Sequence, residues 1–343
     1  MWHKIRTFVQ LIGAATPMVP LLIIYKAIHG NGRSHLFRTS MLKKILSALA
    51  AFPRSLRPVN RPRLVMTLLV KNEEEMLAEN LKFHHAMGVD GFIITDNNST
   101  DATPQIIEHY RQKGWVLDAI RETATDYNQK RWVDRMVLLA KEKYGADWVI
   151  NADADEFWYS PDGALKAGLS EMHANVLQCA IVNVLPEAER PWTEWSRTVR
   201  CVPNLEEYDL SAYSIFNRQT QKVMHRTDGY LQISMGNHKV KMLPQFTRRS
   251  DITIYHYNIR GKEQFVAKMV NGGRQLEQHK QKHGGRHWRY FYDLYKKGLL
   301  EAEYDRVVGT HVLHRLEQEG YVLTDNPVPA ILKHLPDRPN PKG

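Results

Sequence analysis

Three carboxylates, Asp153, Asp155 and Glu156, follow directly on the short apolar run Trp148–Ile150. Like charges a few Å apart repel, so such a cluster persists only where a cation or strong donors offset it. Asp153 and Asp155 are two apart and would share a face of a regular strand. Hard oxygen ligands at a strand end suit Mg²⁺ or Mn²⁺ carrying a phosphate. A solvated acidic turn would use the same residues, and the stretch by itself leaves both readings open.

The elements around it decide more. Leu64–Val70 is a continuous apolar run, as in a strand buried on both faces, and the polar loop Lys71-Asn-Glu-Glu-Glu75 follows. The pattern predicts a helix over 76–87 closed by Gly88. A strand, Phe92–Thr95, leads into Asp96-Asn-Asn-Ser-Thr-Asp101 and a helix over about 104–113. A third strand, Trp115–Ile120, is followed by a long helix over 127–144 with Trp132, Val133, Met136, Val137 and Ala140 inside. Strand and helix alternate up to the acidic stretch. This is an open α/β sheet, whose ligands sit outside the carboxyl ends of the strands. Asn72, Glu73, Asp96, Asp101, Asp153 and Asp155 all fall at such ends.

Beyond Phe157 the alternation stops. Strands are expected at Val176–Val184 and Ile252–Tyr257, and short ones at Ser214–Asn217 and Val240–Leu243. A helix over 264–279 should break at Gly272-Gly273, and a basic, aromatic helical region should fill 288–320. The Pro-rich end, residues 335–343, should fray.

The charge is unevenly placed. Residues 1–63 hold 11 of the 47 Lys and Arg and no Asp or Glu, so the formal charge of +10 resides in this arm. The rest is near neutral, with 36 basic against 37 acidic residues, which argues against a body that grips nucleic acid. Within the arm, Phe8–Ile24 is apolar but short for a span and is interrupted by Gly13, Pro17 and Pro20. Leu42, Ile45, Leu46 and Leu49 form a helical stripe beside Lys43 and Lys44. Residues 1–52 therefore read as a segment that lies on an anionic membrane surface, with packing on the body as the competing reading. Two cysteines and no clear signal peptide fit a reducing compartment. The expected location is the cytoplasmic face of a membrane, peripheral or N-terminally anchored.

Taken in order, Lys-Asn-Glu-Glu at 71–74, Asp-Asn-Asn-Ser-Thr-Asp at 96–101 and Asp-Ala-Asp-Glu-Phe at 153–157 resemble the family 2 glycosyltransferases of GT-A fold. The resemblance spans about residues 64–270. It is nearest to a subgroup with an Asp-x-Asp-Glu-Phe ending and a downstream His-Tyr element, here His256-Tyr257. Each motif alone is unspecific; three in sequence, each after a predicted strand, are not.

The resemblance implies a Rossmann-like mixed sheet flanked by helices. A nucleotide-sugar-binding half would cover 64–160 and an acceptor-binding half 161–285. The arm and linker (1–63) would precede them, and a helical extension (286–343) would follow. It implies transfer of a sugar, usually with inversion, from a nucleoside diphosphate donor, a UDP-sugar first. The acceptor would be a hydroxyl of a glycan or lipid-linked molecule in surface-glycan synthesis, and Mn²⁺ or Mg²⁺ the cofactor. Asn72 and Glu73 would lie near the nucleoside, Asp96 at the base and Arg135 at base or phosphate. Asp153 would face ribose or metal, and Asp155 would ligate the metal. His256 would complete the metal shell, with His238 as its rival, while Arg260 and Lys268 would hold the diphosphate. Without the resemblance, Asn72–Glu73 is equally a helix N-terminal charge, Asp96 an Asx-turn and Arg135 an exposed, acid-paired helix residue.

The sequence departs from the family at the catalytic base. An inverting transfer needs a carboxylate opposite the leaving group, and no Glu-Asp pair occurs between residues 160 and 260. Glu187 and Asp228 are carried forward as candidates. A nucleotidyltransferase would want a Gly-rich, Arg-bearing loop after the first strand, where Lys71-Asn-Glu-Glu-Glu75 stands. No Walker loop or two-metal His/Asp array occurs. A non-catalytic nucleotide-sugar or glycan-binding module on the same fold is the alternative.

Overall fold

The computed structural model describes residues 44–46, 59–123, 129–278 and 285–335. The apolar run 8–24, Leu42 and Leu49 of the arm stripe and the terminal residues 336–343 lie outside the described residues. The chain runs β1 (Leu64–Val70), α1 (Leu77–Ala86), β2 (Gly91–Asp96), α2 (Thr103–Gln112), β3 (Val116–Arg121), α3 (Gln129–Glu142) and β4 (Trp148–Ala152). It continues through β5 (Glu156–Tyr159), β6 (Val176–Asn183), β7 (Arg197–Val199), β8 (Lys222–Arg226), β9 (Tyr230–Ile233), β10 (Val240–Met242) and β11 (Thr247–His256). Helices α4 (Lys262–Gln278), α5 (Arg286–Lys296), α6 (Leu300–Val308) and α7 (Leu313–Gln318), then β12 (Val322–Thr324) and α8 (Val328–Lys333), complete it.

One eight-stranded sheet, in the order β3-β2-β1-β4-β8-β6-β11-β5, forms the body. Strands β1 to β4 are mutually parallel, whereas β8 is antiparallel to both β4 and β6. Since β11 is parallel to β6, both run in the direction of β1 and β4. Six strands thus end at one edge, and β5 and β8 begin there. The acidic loop takes the chain from β4 to β5, four places apart in the sheet. Four residues reach about 14 Å, yet four flat strand spacings would be about 19 Å. The sheet must curl to let the loop close.

Alternation along β1 explains the two-faced core. Leu64, Met66 and Leu68 pack with α1 and α2, while Val65 packs with Val133, Met136 and Ala140 of α3. A third cluster joins Phe216, Phe265 and Met269 to Phe291, Val307 and Leu316. It ties the C-terminal helices to the middle of the chain, as does the antiparallel pairing of β12 with β7.

Three expectations are corrected. Ser214–Asn217 is a turn, stabilised by Ser214 N–H…Ser211 O and Asn217 N–H…Ser214 O bonds. The helix α4 runs unbroken through Gly272-Gly273. A Cβ on Gly272 would meet the Trp288 ring at 2.6 Å and one on Gly273 would meet Tyr292 at 2.3 Å, so this pair admits α5 instead of ending α4. Strands β5, β7, β8, β9 and β12 were not foreseen; all are five residues or shorter.

At residues 44–46 the arm packs on the body. Ile45 is fully buried, and Lys44 donates to Leu231 O at 3.2 Å and pairs with Asp134 at 3.6 Å. Among the described residues no helix is long and apolar enough to cross a membrane.

A buried polar chain crosses the sheet below the site. Thr67 Oγ1 donates to Asn151 Oδ1, and Asn151 Nδ2 donates to His225 Nε2. His225 Nδ1–H donates to Arg226 O, which fixes a neutral tautomer. Burial lowers its pKa to about 4. The unfolded chain takes up that proton near pH 6.5 and the folded chain only near 4, so stability is lost as pH falls through this window, by about 2 kcal/mol at pH 5. Urea midpoints of wild type and His225→Gln should therefore differ most at pH 7 and converge by about that amount at pH 5. A constant gap would show that folding does not lower the His225 pKa.

Candidate active site

The acidic loop is held by its backbone before any side chain acts. Fully buried Asn80, on α1, donates from Nδ2 to both Ala154 O and Glu156 O at 2.9 Å. One turn on, His84 accepts the Trp158 N–H at Nε2 and donates from Nδ1 to Asn80 O. Burial pushes the His84 pKa down to about 3, so it stays neutral in this role. Tyr257 N–H donates to Asp155 O at 2.8 Å. The loop is thus clamped between α1 and the end of β11, which holds three acids at fixed positions.

The three acids then meet two lysines. Lys268 of α4 places Nζ 3.0 Å from Asp155 Oδ2, and His256 Nε2 lies 3.6 Å from Asp155 Oδ1. Burial alone would raise the Asp155 carboxyl, but Lys268 and His256 overrule it and hold it well below the usual carboxylate range. Lys222 opens β8 at the same edge, 4% exposed, with Nζ 2.7 Å from Asp153 Oδ2 and 2.5 Å from Glu156 Oε1. Burial disfavours its charge, yet Asp153 and Glu156 raise its pKa above the ordinary lysine value. Glu156 is 1% exposed, and burial raises its own pKa against the pull of Lys222.

The other strand-end residues build the walls. Asn72 adopts φ 55°, a left-handed conformation that asparagine tolerates. Its N–H donates to Ser99 Oγ, and its Oδ1 accepts the Thr100 N–H at 2.8 Å. Asp96 Oδ1 accepts the Ser99 N–H at 3.0 Å, three residues on and not the two of an Asx-turn. Asn72 therefore ties the first loop to the second, and Asp96 braces the second internally through one of its two oxygens. Arg135 pairs with Glu122 at 3.0 Å beyond the end of β3. Arg260 reaches from the segment after β11 to Glu75 at 2.9 Å and Glu73 at 3.6 Å. Burial, then Asp155, raises the Glu73 pKa to about 7.

The sheet directions sort the remaining candidates. His256 ends β11 at the site edge, against Asp155. His238 donates from Nδ1 to Gln221 O, beside Lys222; burial, with Lys222 adding to it, lowers its pKa. The two histidines flank opposite sides of the loop, and only His256 touches Asp155. Asp228 follows the far end of β8, paired with Lys141 at 2.9 Å, beside Thr227, whose N–H bonds Asp147 O. It stands at the opposite edge of the sheet and cannot reach a substrate here. Glu187 accepts the N–H groups of Ser196 and Arg197 with Oε1 and pairs with Arg197 through Oε2. Its carboxylate secures a loop and is not poised as a base. Sequence reasoning missed Lys222, Asn80 and His84. Only the presence of a lysine beside the apolar pair Val223-Met224 could have pointed to the first.

Asp155 and His256 present one carboxylate and one imidazole, and Asp153 is 42% exposed at its side chain with Oδ2 held by Lys222. Among the described residues no group of three or more His, Cys, Asp or Glu could hold a metal unaided. Two protein donors do fit Mg²⁺ or Mn²⁺, which commonly takes one or two protein ligands and completes its shell with substrate phosphate and water.

Removing Lys222 would leave two carboxylates facing each other without their cation. Lys222→Met should cost about 3–5 kcal/mol in urea denaturation. Adding Glu156→Gln to it should recover part of that loss, because the pair is coupled. Additive losses would mean that the contact carries no weight.

Residues 68–236 match the family model described as Glycosyl transferase family 2, just under half of the chain. No curated protein matches the sequence. Among solved structures, residues 1–349 of TarS from S. aureus are similar at 15% identity and TM-score 0.38, covering 75% of each chain. A mannosyltransferase from Pyrobaculum calidifontis, PcManGT, in complex with GDP-Man and Mn²⁺, is similar at 12% identity and TM-score 0.35, covering 91% of this chain and 90% of that one. These likenesses are too distant to carry the assignment, which rests on the matched segment. That segment holds the first two strand-end loops, the acidic loop and Lys222, so the part of the chain that resembles the family is the part that builds this edge, and the protein is a glycosyltransferase.

Proposed function

We propose that the protein transfers a sugar from a nucleoside diphosphate donor to an acceptor hydroxyl, with Mg²⁺ or Mn²⁺ held by Asp155 and His256. The convergence of Asp155, His256 and Lys268 at the carboxyl edge of the sheet carries this reading. The cation, when bound, would supply positive charge to the diphosphate oxygens. Lys268 and Arg260 are placed to offset the charge that builds on the departing nucleoside diphosphate. Asp153 keeps one oxygen for a ribose hydroxyl while Lys222 holds the other. The open oxygen of Asp96 and the pair Arg135–Glu122 edge the place where a base would lie. A UDP-sugar is the first donor to test, and inversion at the anomeric carbon is the expected course, read by NMR of the product.

Asp155→Asn should weaken Mn²⁺-dependent UDP binding by about 100-fold in calorimetry, with unchanged circular dichroism. Unaltered affinity would remove Asp155 from the metal site. Donor binding without release of UDP, with every donor and acceptor tried, would favour a non-catalytic binding module.

We extend the proposal to a surface glycan or lipid-linked acceptor at the cytoplasmic face of a membrane, on the basic, acid-free arm. Removing residues 1–40 leaves Lys44 and Ile45 seated on the body. The truncated protein should stay in the supernatant when vesicles containing anionic phospholipid are pelleted, and the full chain should sediment with them. Equal sedimentation of both would exclude the arm as the membrane contact.

A further inference from the structure

The edge strands set a row of polar side chains side by side. His256 lies opposite Asn183 on β6 and opposite Glu156 on β5. Residues paired in adjacent strands project to the same face, about 5 Å apart. His256 turns Nε2 toward Asp155. Its Nδ1 is buried without a hydrogen-bond partner. Asn183 is 2% exposed and donates from Nδ2 to Ile215 O at 2.8 Å. A carbonyl oxygen only accepts, so this bond fixes the amide orientation and leaves Oδ1 as the group on offer. Asn183 Oδ1 is likewise buried without a partner. A lone donor site and a lone acceptor thus occupy neighbouring positions in a region where an unmet polar atom is costly.

The geometry points to Asn183 as the positioning residue for His256: its Oδ1 receives the Nδ1–H through one water and keeps the Nε2 lone pair aimed at the cation beside Asp155. A ligating imidazole needs its second nitrogen satisfied in this way, because that bond selects the tautomer and the ring orientation. The inference rests on the proposed metal reading for its purpose, but not for its test. Asn183 also connects the centre to the acceptor side. Ile215 packs in the cluster with Phe216, Phe265 and Phe291, so its carbonyl orients Asn183 from the C-terminal lobe.

The test compares Asn183→Leu with Asn183→Asp in the full-length protein. Both lose the bond to Ile215 O, and only the aspartate keeps an acceptor for Nδ1–H. In ¹⁵N-histidine-labelled protein, with His256 assigned by difference against His256→Gln, wild type should show the Nδ1–H tautomer. Asn183→Asp should retain it, and Asn183→Leu should shift His256 toward Nε2–H. An unchanged His256 signature in Asn183→Leu would overturn the assignment, whatever happens to metal binding. A parallel Mn²⁺ titration in the presence of UDP should show binding about 10–100-fold weaker in Asn183→Leu than in Asn183→Asp. Equal Mn²⁺ affinity in wild type and His256→Ala would instead defeat the metal reading, and the tautomer result would still decide the role of Asn183.

Discussion

The structure depends on how one short loop neutralises its own charge. Asp153, Asp155 and Glu156 sit where the chain leaves β4 for β5, and the backbone clamp from Asn80, His84 and Tyr257 prevents them from spreading apart. Two lysines answer them in different ways. Lys222 is 4% exposed and bridges Asp153 to Glu156, so it is a permanent part of the fold. Lys268 is 34% exposed and meets only Asp155 among the three. A buried ammonium between two carboxylates is not displaced by a solvated cation without a large desolvation cost. A half-exposed one can yield to a metal or turn to a phosphate. The loop is thereby divided into a fixed end at Glu156 and an exchangeable end at Asp155.

The same loop governs the architecture. Its four-residue reach is shorter than the flat distance it must cover, and the resulting curl carries the ends of β6 and β11 toward the end of β4. That curl is why His256, about a hundred residues downstream, lies against Asp155. Charge contributes a further consequence at Glu73. Desolvation and the Asp155 carboxylate raise its pKa to about 7, so near neutrality the edge lowers its own repulsion by partly protonating the acid next in line.

Much of this was legible because periodicity and loop chemistry agree in the first half of the chain. The strands β1 to β4, the loops after them and the carboxylates of the acidic stretch follow from apolar runs that stop at polar residues. His256, Arg260 and Lys268 were reached only through the family resemblance, because a strand-like run followed by basic residues does not by itself mark a site. The rest was hidden by two physical circumstances. Short strands such as β8 owe their form to neighbours in the sheet, not to their own pattern, so neither the burial of Lys222 nor the far placement of Asp228 could be read. Polar residues in strand-end loops also have two uses. Asn72 and Asp96 carry the expected residue types, yet Asn72 is used to tie one loop to the next and Asp96 spends one oxygen on bracing its own loop.

Gly272-Gly273 shows the same ambiguity resolved by packing. In sequence the pair reads as a break. In the fold it is a seat for Trp288 and Tyr292, and the seat has a consequence one turn away. Lys268 precedes Gly272 by four residues, the spacing of neighbours on a helix face. With α5 pressed against α4, His287 lies close enough for the Lys268 charge to add to burial in lowering its pKa. Phe291 on α5 packs edge-on against Phe265 of α4, at 5.1 Å between ring centres. Lys268 also bonds Asn258 through both its backbone oxygen and Oδ1. Its ammonium is therefore aimed at Asp155 by a rigid helix pair and by the turn after β11, not by the ion pair alone. On the proposed reading, in which Lys268 turns from the carboxylate to a phosphate, such support holds the lysine in place while Asp155 is otherwise engaged.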